Sequence, residues 1–597
     1  MSLRNRSHPA GPQDPDGASV GESSGQWPSQ RRLTRFVKLR WAALLIVILG
    51  AGALVWNIAT DDEPSTEGDR FDRIDAWVRD QMNDSRIPGI ALAVVEDGET
   101  VHSAGFGDDG RGNAITPDTP FWIGSNTKSI TALAVMQLVE AGLVQLDDPV
   151  QQYLPEFRVD DPDASSRITV RHLLNQTSGL ARVDGLRAIA DTDEDDTLAD
   201  VVADMDDLDL NRPVGESFEY SNLNSVVLGL LVERVTGTTW QQYVEASIFE
   251  PLGMARTFTA REDAKEHGLT ATHRFVFGYP IRTDGRHLDG LAPSGYVYST
   301  ANDMARYLTA YSEGGVVDGN RVLSEAGIAE MLAPATNERT VLLQSERFRA
   351  RYGAGWFVGP FGAADDARWH QGSLPHFTAW MVLLPESDQA VVVLINAGNQ
   401  FEIGGANSAW SRIPQGVVNM LRDTDPPTGI STARFFIVFD TLVALAVVSQ
   451  AWVLVRVVAR GGATRTSMLR RLAPFGWELV IAPLVLVSYP AITGGLGWGA
   501  AFDFIPDLSL SVLVIAGLAV LTGLTRVVRL VRPRTTGVTR DSDRVASADE
   551  PPARDLVTVS SDLAAHDGHR DAAEATATPT APSSAGVAVP GTGGQPD

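Results

Sequence analysis

Ser125 and Lys128 stand three residues apart in Ile123-Gly124-Ser125-Asn126-Thr127-Lys128-Ser129-Ile130. The apolar residues that follow, Ile130, Leu133, Ala134, Met136, Leu138 and Val139, predict a helix starting at this point. On a helix that spacing stacks both side chains on one face, and a serine in the first turn feels the positive end of the dipole. A serine hydroxyl is a poor nucleophile until a neighbour removes its proton. A lysine can do so when burial or nearby cations lower its pKa. The chain has only three lysines, Lys38, Lys128 and Lys265, and its other basic charge is Arg. Arg keeps its proton at ordinary pH whereas Lys can lose it, so lysine at 128 suits a base.

Two further groups carry usable chemistry. In Phe218-Glu219-Tyr220-Ser221-Asn222-Leu223-Asn224, Tyr220 can shuttle a proton and Asn222 can orient the lysine or a substrate amide. In Trp369-His370-Gln371-Gly372-Ser373, His370 and Gly372 come just before an apolar, β-rich stretch, Thr378 to Leu384. By contrast, Gly21-Glu22-Ser23-Ser24-Gly25 has the spacing of a nucleophile elbow but neither the strand before it nor the helix after it that such an elbow needs.

The elements that must position these groups follow from periodicity. Phe71–Met82 reads as an amphipathic helix. Ile90–Val95 and Thr100–Phe106 read as strands joined at Asp97-Gly98, and Thr378–Leu384 pairs with Ala390–Ile395 in a second hairpin. Strands at both ends of a helix-rich middle imply an α/β fold: an antiparallel sheet flanked by helices, with a helical subdomain inserted and a cleft between the lobes.

Composition narrows the rest. A net charge of −25 opposes nucleic-acid binding, and the lack of cysteine excludes disulfides, thiolate metal sites and a cysteine nucleophile. Four apolar stretches are expected to be transmembrane helices: 41–59, preceded by a basic run from Arg31 to Arg40, then 435–455, 479–501 and 508–525. Arg456, Arg460, Arg465, Arg470 and Arg471 follow the second span, and Arg526, Arg529, Arg532 and Arg534 the fourth, which places both sides in the cytoplasm. The link holding Asp503 and Asp507 fits the outside. The expected organisation is a disordered cytoplasmic N-tail (1–40), an anchor (41–59), an extracytoplasmic domain (62–428), three more spans and a disordered cytoplasmic tail (535–597), in the plasma membrane. Asp440 and Gln450 are polar groups within the second span, a hint of function that packing or helix association explains more simply.

Ser125–Lys128, Tyr220–Asn222 and His370–Gly372, in that order, resemble the S-x-x-K, Y-x-N and K-T-G motifs of the serine β-lactamase and penicillin-binding-protein family, the last in an H-x-G form. The chain is similar in kind to class C β-lactamases, D-alanyl-D-alanine carboxypeptidases and related esterases over about residues 70–420. Leu146–Val150, Ile168–Leu180, Pro251–Met254, Tyr298–Met304 and Tyr352–Trp356 are also typical of the family. The resemblance implies the β-lactamase/transpeptidase-like fold and an acyl-enzyme on Ser125, with Lys128 and Tyr220 moving protons. It implies that Asn222, His370 and Gly372 position substrate, that the backbone N–H groups of Ser125 and Ser373 form an oxyanion hole, and that no metal or cofactor takes part. His172 and the acidic stretch Asp191–Asp209 are read as structural and solvated.

His370 stands where the family has lysine, and Gln371 where it has the threonine that helps hold a substrate carboxylate. Small acyl compounds or D-amino-acid peptides are therefore favoured over β-lactams as substrates. The alternative is a non-catalytic membrane sensor of peptidoglycan fragments or β-lactams, for which no cytoplasmic signalling domain is recognised.

Overall fold

The computed structural model describes residues 68–343, 346–398, 408–429, 431–459, 475–492 and 497–531. Helix α1 (Arg70–Ser85) begins where the Asp69 carboxylate accepts the backbone N–H groups of Phe71 and Asp72 at 2.8 and 2.9 Å. Strands β1 (Gly89–Glu96) and β2 (Glu99–Gly107) follow, turning at Asp97 and Gly98, whose φ values of 50° and 77° suit the tight hairpin expected there.

A further hairpin that the sequence does not announce, β3 (Thr272–Val276) and β4 (Tyr279–Thr283), lies in the middle of the chain. The C-terminal half adds β5 (Arg339–Leu343), β6 (Glu346–Gly353), β7 (Trp356–Phe361), β8 (Ala364–Leu374), β9 (Phe377–Leu384) and β10 (Gln389–Ile395). The main sheet has eight strands in the order β2-β1-β10-β9-β8-β7-β6-β5, and β1 joins the two ends of the domain by pairing Ile90 with Ile395.

The strands alternate as a sheet covered on both faces must. Ala91, Ala93, Val392, Leu394, Ala379 and Met381 enter one core, and Ile90, Leu92, Val94, Val393, Trp380 and Val382 the other. The first core is covered by α2 (Thr127–Glu140), α3 (Asn222–Thr236) and α4 (Ala301–Ser312), all from the helical middle. The second is covered by α1 and α5 (Ala409–Leu421). The α/β class, the antiparallel sheet and the inserted helical lobe are as the sequence implies.

The membrane segments require correction. Two described helices, not four, are long and apolar enough to cross a bilayer: α6 (Thr432–Ala459) and the stretch Pro506–Arg529 of α9 (Pro506–Val531). The expected span 479–501 is not one helix: a π turn at Trp477–Ile481 leads into α7 (Ala482–Ile492), and α8 (Trp498–Phe504) is separate. Gly497 leaves the helical backbone to cap α8, a break that summed hydropathy does not register. The expected span 41–59 and both tails lie outside the described residues.

Candidate active site

Ser125 sits in a 3-10 turn, Gly124–Asn126, that runs directly into α2. Gly124 takes a φ of 54°, and a Cβ on Gly372 would fall 1.8 Å from the Ile123 carbonyl oxygen. The turn and strand β8 therefore meet backbone to backbone, which only glycine at 372 permits. This contact puts Ser125, Gln371 and Ser373 on one cleft of about 170 Å3, together with Tyr220, Asn222 and His370.

Lys128 lies beneath the serine, 2% exposed. Its Nζ is 3.0 Å from Ser125 Oγ, 2.8 Å from Asn222 Oδ1 and 2.6 Å from the backbone carbonyl of Ser294. Burial pushes its pKa well below the ordinary lysine value, and among the described residues no carboxylate offsets that burial. The orientation of Asn222 is fixed, because its Nδ2 donates to the Gly185 carbonyl at 3.0 Å and so turns Oδ1 toward the lysine.

Asn222 opens α3, and the segment just before it is held from a distance. Gln176 Oε1 accepts from the Ser221 backbone N–H at 2.8 Å and from Asn224 Nδ2 at 2.6 Å, while Ser178 Oγ donates to Asn224 Oδ1 at 2.6 Å. These contacts give the stretch Ile168–Leu180 a physical purpose: it anchors the start of the helix that carries Asn222. His172, as expected, is structural and completes a capping box with Thr169.

Tyr220 packs among Tyr352, Phe357 and His370, and its ring lies 5.0 Å from Lys128 Nζ. Burial raises its pKa, with the Ser125 hydroxyl close enough to hydrogen-bond and pull the other way, so the phenol stays protonated. On the strand side, burial first and the nearby Lys128 second push His370 down to about 3. Its Nδ1 is 3.0 Å from the Gln371 carbonyl, which makes Nδ1 the protonated nitrogen, and Nε2 faces the Tyr352 hydroxyl at 3.4 Å. His370 is thus a neutral ring packed beside the cleft rather than a cation within it.

Ser125, Lys128, Tyr220, Asn222, His370, Gly372 and Ser373, the candidate site residues of the sequence, are brought together. Several others were not anticipated. Ser294 acts through a backbone carbonyl, which leaves no residue-type signal. Arg182, exposed at the start of the helix Arg182–Asp191, lines the cleft, and its charge lowers the Tyr220 pKa. Leu186, Ile189, Tyr296, Phe357 and Leu374 form its apolar walls. Among the described residues, no group of three or more His, Cys, Asp or Glu side chains is arranged to hold a metal ion.

The comparisons with known proteins agree with this geometry. The family model described as Beta-lactamase matches residues 74–412. Protein flp of Staphylococcus aureus (strain N315) is 25% identical over 335 residues, 56% of this chain and 64% of that protein. The chain therefore spans less than two thirds of that relative's length; with protein flp of strain COL the match runs over 450 residues, 73% of this chain and 86% of the relative, at 24% identity. Penicillin-binding protein 4 of Amycolatopsis lactamdurans is 31% identical over 337 residues, 55% of this chain and 84% of that one. Among solved structures, the octameric penicillin-binding protein homologue from Pyrococcus abyssi shares 26% identity at a TM-score of 0.51, covering 60% of this chain and 79% of its own. With a family match over more than half its length, a serine and a tyrosine on one cleft and a buried lysine hydrogen-bonded beneath the serine, the chain belongs to the beta-lactamase family of serine hydrolases and penicillin-binding proteins.

Proposed function

We propose that the protein is a membrane-anchored hydrolase that passes an acyl group through Ser125, with Lys128 as the base. The observation that carries this is the trio of oxygens around Lys128 Nζ. Two of them, the Asn222 amide oxygen and the Ser294 carbonyl, can only accept. A neutral amine donates its two hydrogens to them, and its lone pair is left for the third neighbour, the Ser125 hydroxyl. Burial without a carboxylate partner favours that neutral amine.

In the proposed reaction Ser125 Oγ bonds to the substrate carbonyl carbon while its proton passes to Lys128 Nζ. The oxyanion is received by the backbone N–H groups of Ser125 and Ser373. The Tyr220 phenol relays the proton to the leaving group as the scissile bond breaks, and water then releases the acyl group by the reverse route. Asn222, His370 and Gly372 hold the geometry.

The substrate assignment rests on charge. A neutral His370 and the amide Gln371 offer little to a carboxylate at the strand edge, which favours small esters, or D-amino-acid peptides with no free carboxylate beside the scissile bond, over β-lactams. Anchoring is supported by the two apolar helices and by the basic residues that follow them. An extracytoplasmic active domain is supported by Asp503, in the link between apolar segments, which pairs with Arg274 of β3 at 3.2 Å.

The test uses the full chain in detergent with a chromogenic ester, a D-Ala-D-Ala peptide and a cephalosporin. Turnover of at least one is expected, with an acyl adduct on Ser125 by intact mass and a loss on the order of 10,000-fold or more in Ser125→Ala. No turnover of any of the three, or equal turnover by the variant, contradicts the assignment.

A further inference from the structure

Hairpin β3–β4 connects the cleft to the apolar helices. At its inner end the His273 backbone N–H is shared between the carbonyls of His376, at 3.1 Å, and Asn396, at 2.9 Å. His376 adjoins Phe377, whose ring meets Gly124 beside the catalytic serine. At the outer end, the Phe277 backbone N–H donates to the Asp507 carboxylate in the first turn of α9. Gly278 lies against Phe436 near the start of α6, where an added Cβ would come within 2.5 Å of it. The Gly278 carbonyl also accepts from Arg86 at 2.9 Å.

The pairing register shows which face of the hairpin looks toward those helix ends. Ile281 is directly opposite Arg274, and Tyr279 directly opposite Val276, so these four side chains share one face. Arg274 on that face reaches Asp503 of α8 at 3.2 Å. Yet Tyr279 and Ile281 are 58% and 48% exposed. The Arg86 guanidinium stacks on the Tyr279 ring at 4.5 Å. An aromatic ring, a branched aliphatic side chain and arginines, at the level where two apolar helices begin, match the chemistry of a membrane interface.

We propose that the face of β3–β4 carrying Tyr279 and Ile281 rests in the headgroup layer of the bilayer and so holds the catalytic cleft at a fixed height above it. This rests on the assignment of α6 and α9 as membrane spans. The occupant is lipid, because the exposed face is continuous with the ends of the lipid-facing helices and is carried by the edge strand β4.

The chain has no cysteine, so single labels need no background removal. Ile281→Cys, Leu143→Cys and Leu445→Cys, each in the full chain in phosphatidylcholine/phosphatidylglycerol vesicles, carry a nitroxide whose accessibility to oxygen and to a water-soluble nickel chelate is read by EPR. Leu143 is exposed in the helical lobe and Leu445 is exposed on α6. The label at 281 is expected to favour oxygen over nickel several-fold more than that at 143 and less than that at 445. If 445 behaves as lipid-embedded while 281 matches 143, or is shielded from both reagents as a second protein copy would shield it, the hairpin proposal is wrong and the spans stand. If 445 is as open to nickel as 143, the spans and the proposal fall together.

Discussion

The two walls of the cleft differ in how firmly the sequence commits them. On the helical wall the groups that would move the proton are tied down: Lys128 is held by Ser125, Asn222 and Ser294, and Asn222 in turn by Gly185. On the strand wall, His370 is neutral and packed among Tyr220, Tyr352 and Phe357. The difference separates two tasks. Moving a proton needs a fixed, desolvated base, whereas choosing a substrate depends on the charge and shape of the residues along the strand edge. Substitutions on the helical wall should therefore remove rate for every substrate, and those on the strand wall should redistribute rate among substrates.

The largest break comes from Lys128→Arg. The guanidinium stays charged at any ordinary pH and cannot take up the serine proton, so kcat/KM should fall on the order of 1,000-fold or more for all substrates, with the protein still folded by circular dichroism. Retention of more than a tenth of the activity would mean that the lysine serves as a charge only. Asn222→Ala should cost less. It removes one acceptor from Lys128 and leaves the Gly185 carbonyl without its donor, a loss of about 1–3 kcal/mol, or roughly 5- to 150-fold in kcat, equal across substrates. An effect confined to KM for peptides would move Asn222 to the substrate-binding side of the comparison.

His370→Lys is the smallest and the most discriminating change. Restoring a cation to the strand edge should shift relative kcat/KM about 10-fold toward substrates with a free carboxylate, while leaving the neutral ester within a few-fold of its original rate. Equal loss for both classes would show that the neutral ring supports the base instead.

Legibility in the sequence follows the same division. Ser125 and Lys128 are three residues apart, so helical periodicity alone stacks them. Tyr220, Asn222 and His370 are far from them in sequence and were recovered through motif order. Ser294, 166 residues from the lysine it contacts, acts through its main chain and gives no side-chain signal. Arg182 was passed over because a single exposed arginine at a helix start looks like ordinary surface.

The same holds for the fold. Alternation exposed β1, β9 and β10, whose two faces feed two different cores. It did not expose β3–β4, whose outer strand is short, holds Pro280 and pairs on one side only. Hydropathy found α6 and α9 but merged α7 and α8 into one span, since an average over a window does not see where a backbone stops being helical.

The most direct test of the central claim is the pH dependence of Ser125 acylation by a neutral ester, followed in single turnover. Lys128 must be unprotonated to act, and burial lowers its pKa, so the rate should be high at neutral pH and fall only as acid protonates the amine. His370, already neutral above about 3, should contribute no second inflection between pH 5 and 9, and His370→Gln should leave the profile in place. A rate that keeps rising to about pH 10, the ordinary lysine value, or an acid limb that disappears with His370→Gln, would contradict a neutral Lys128 as the base.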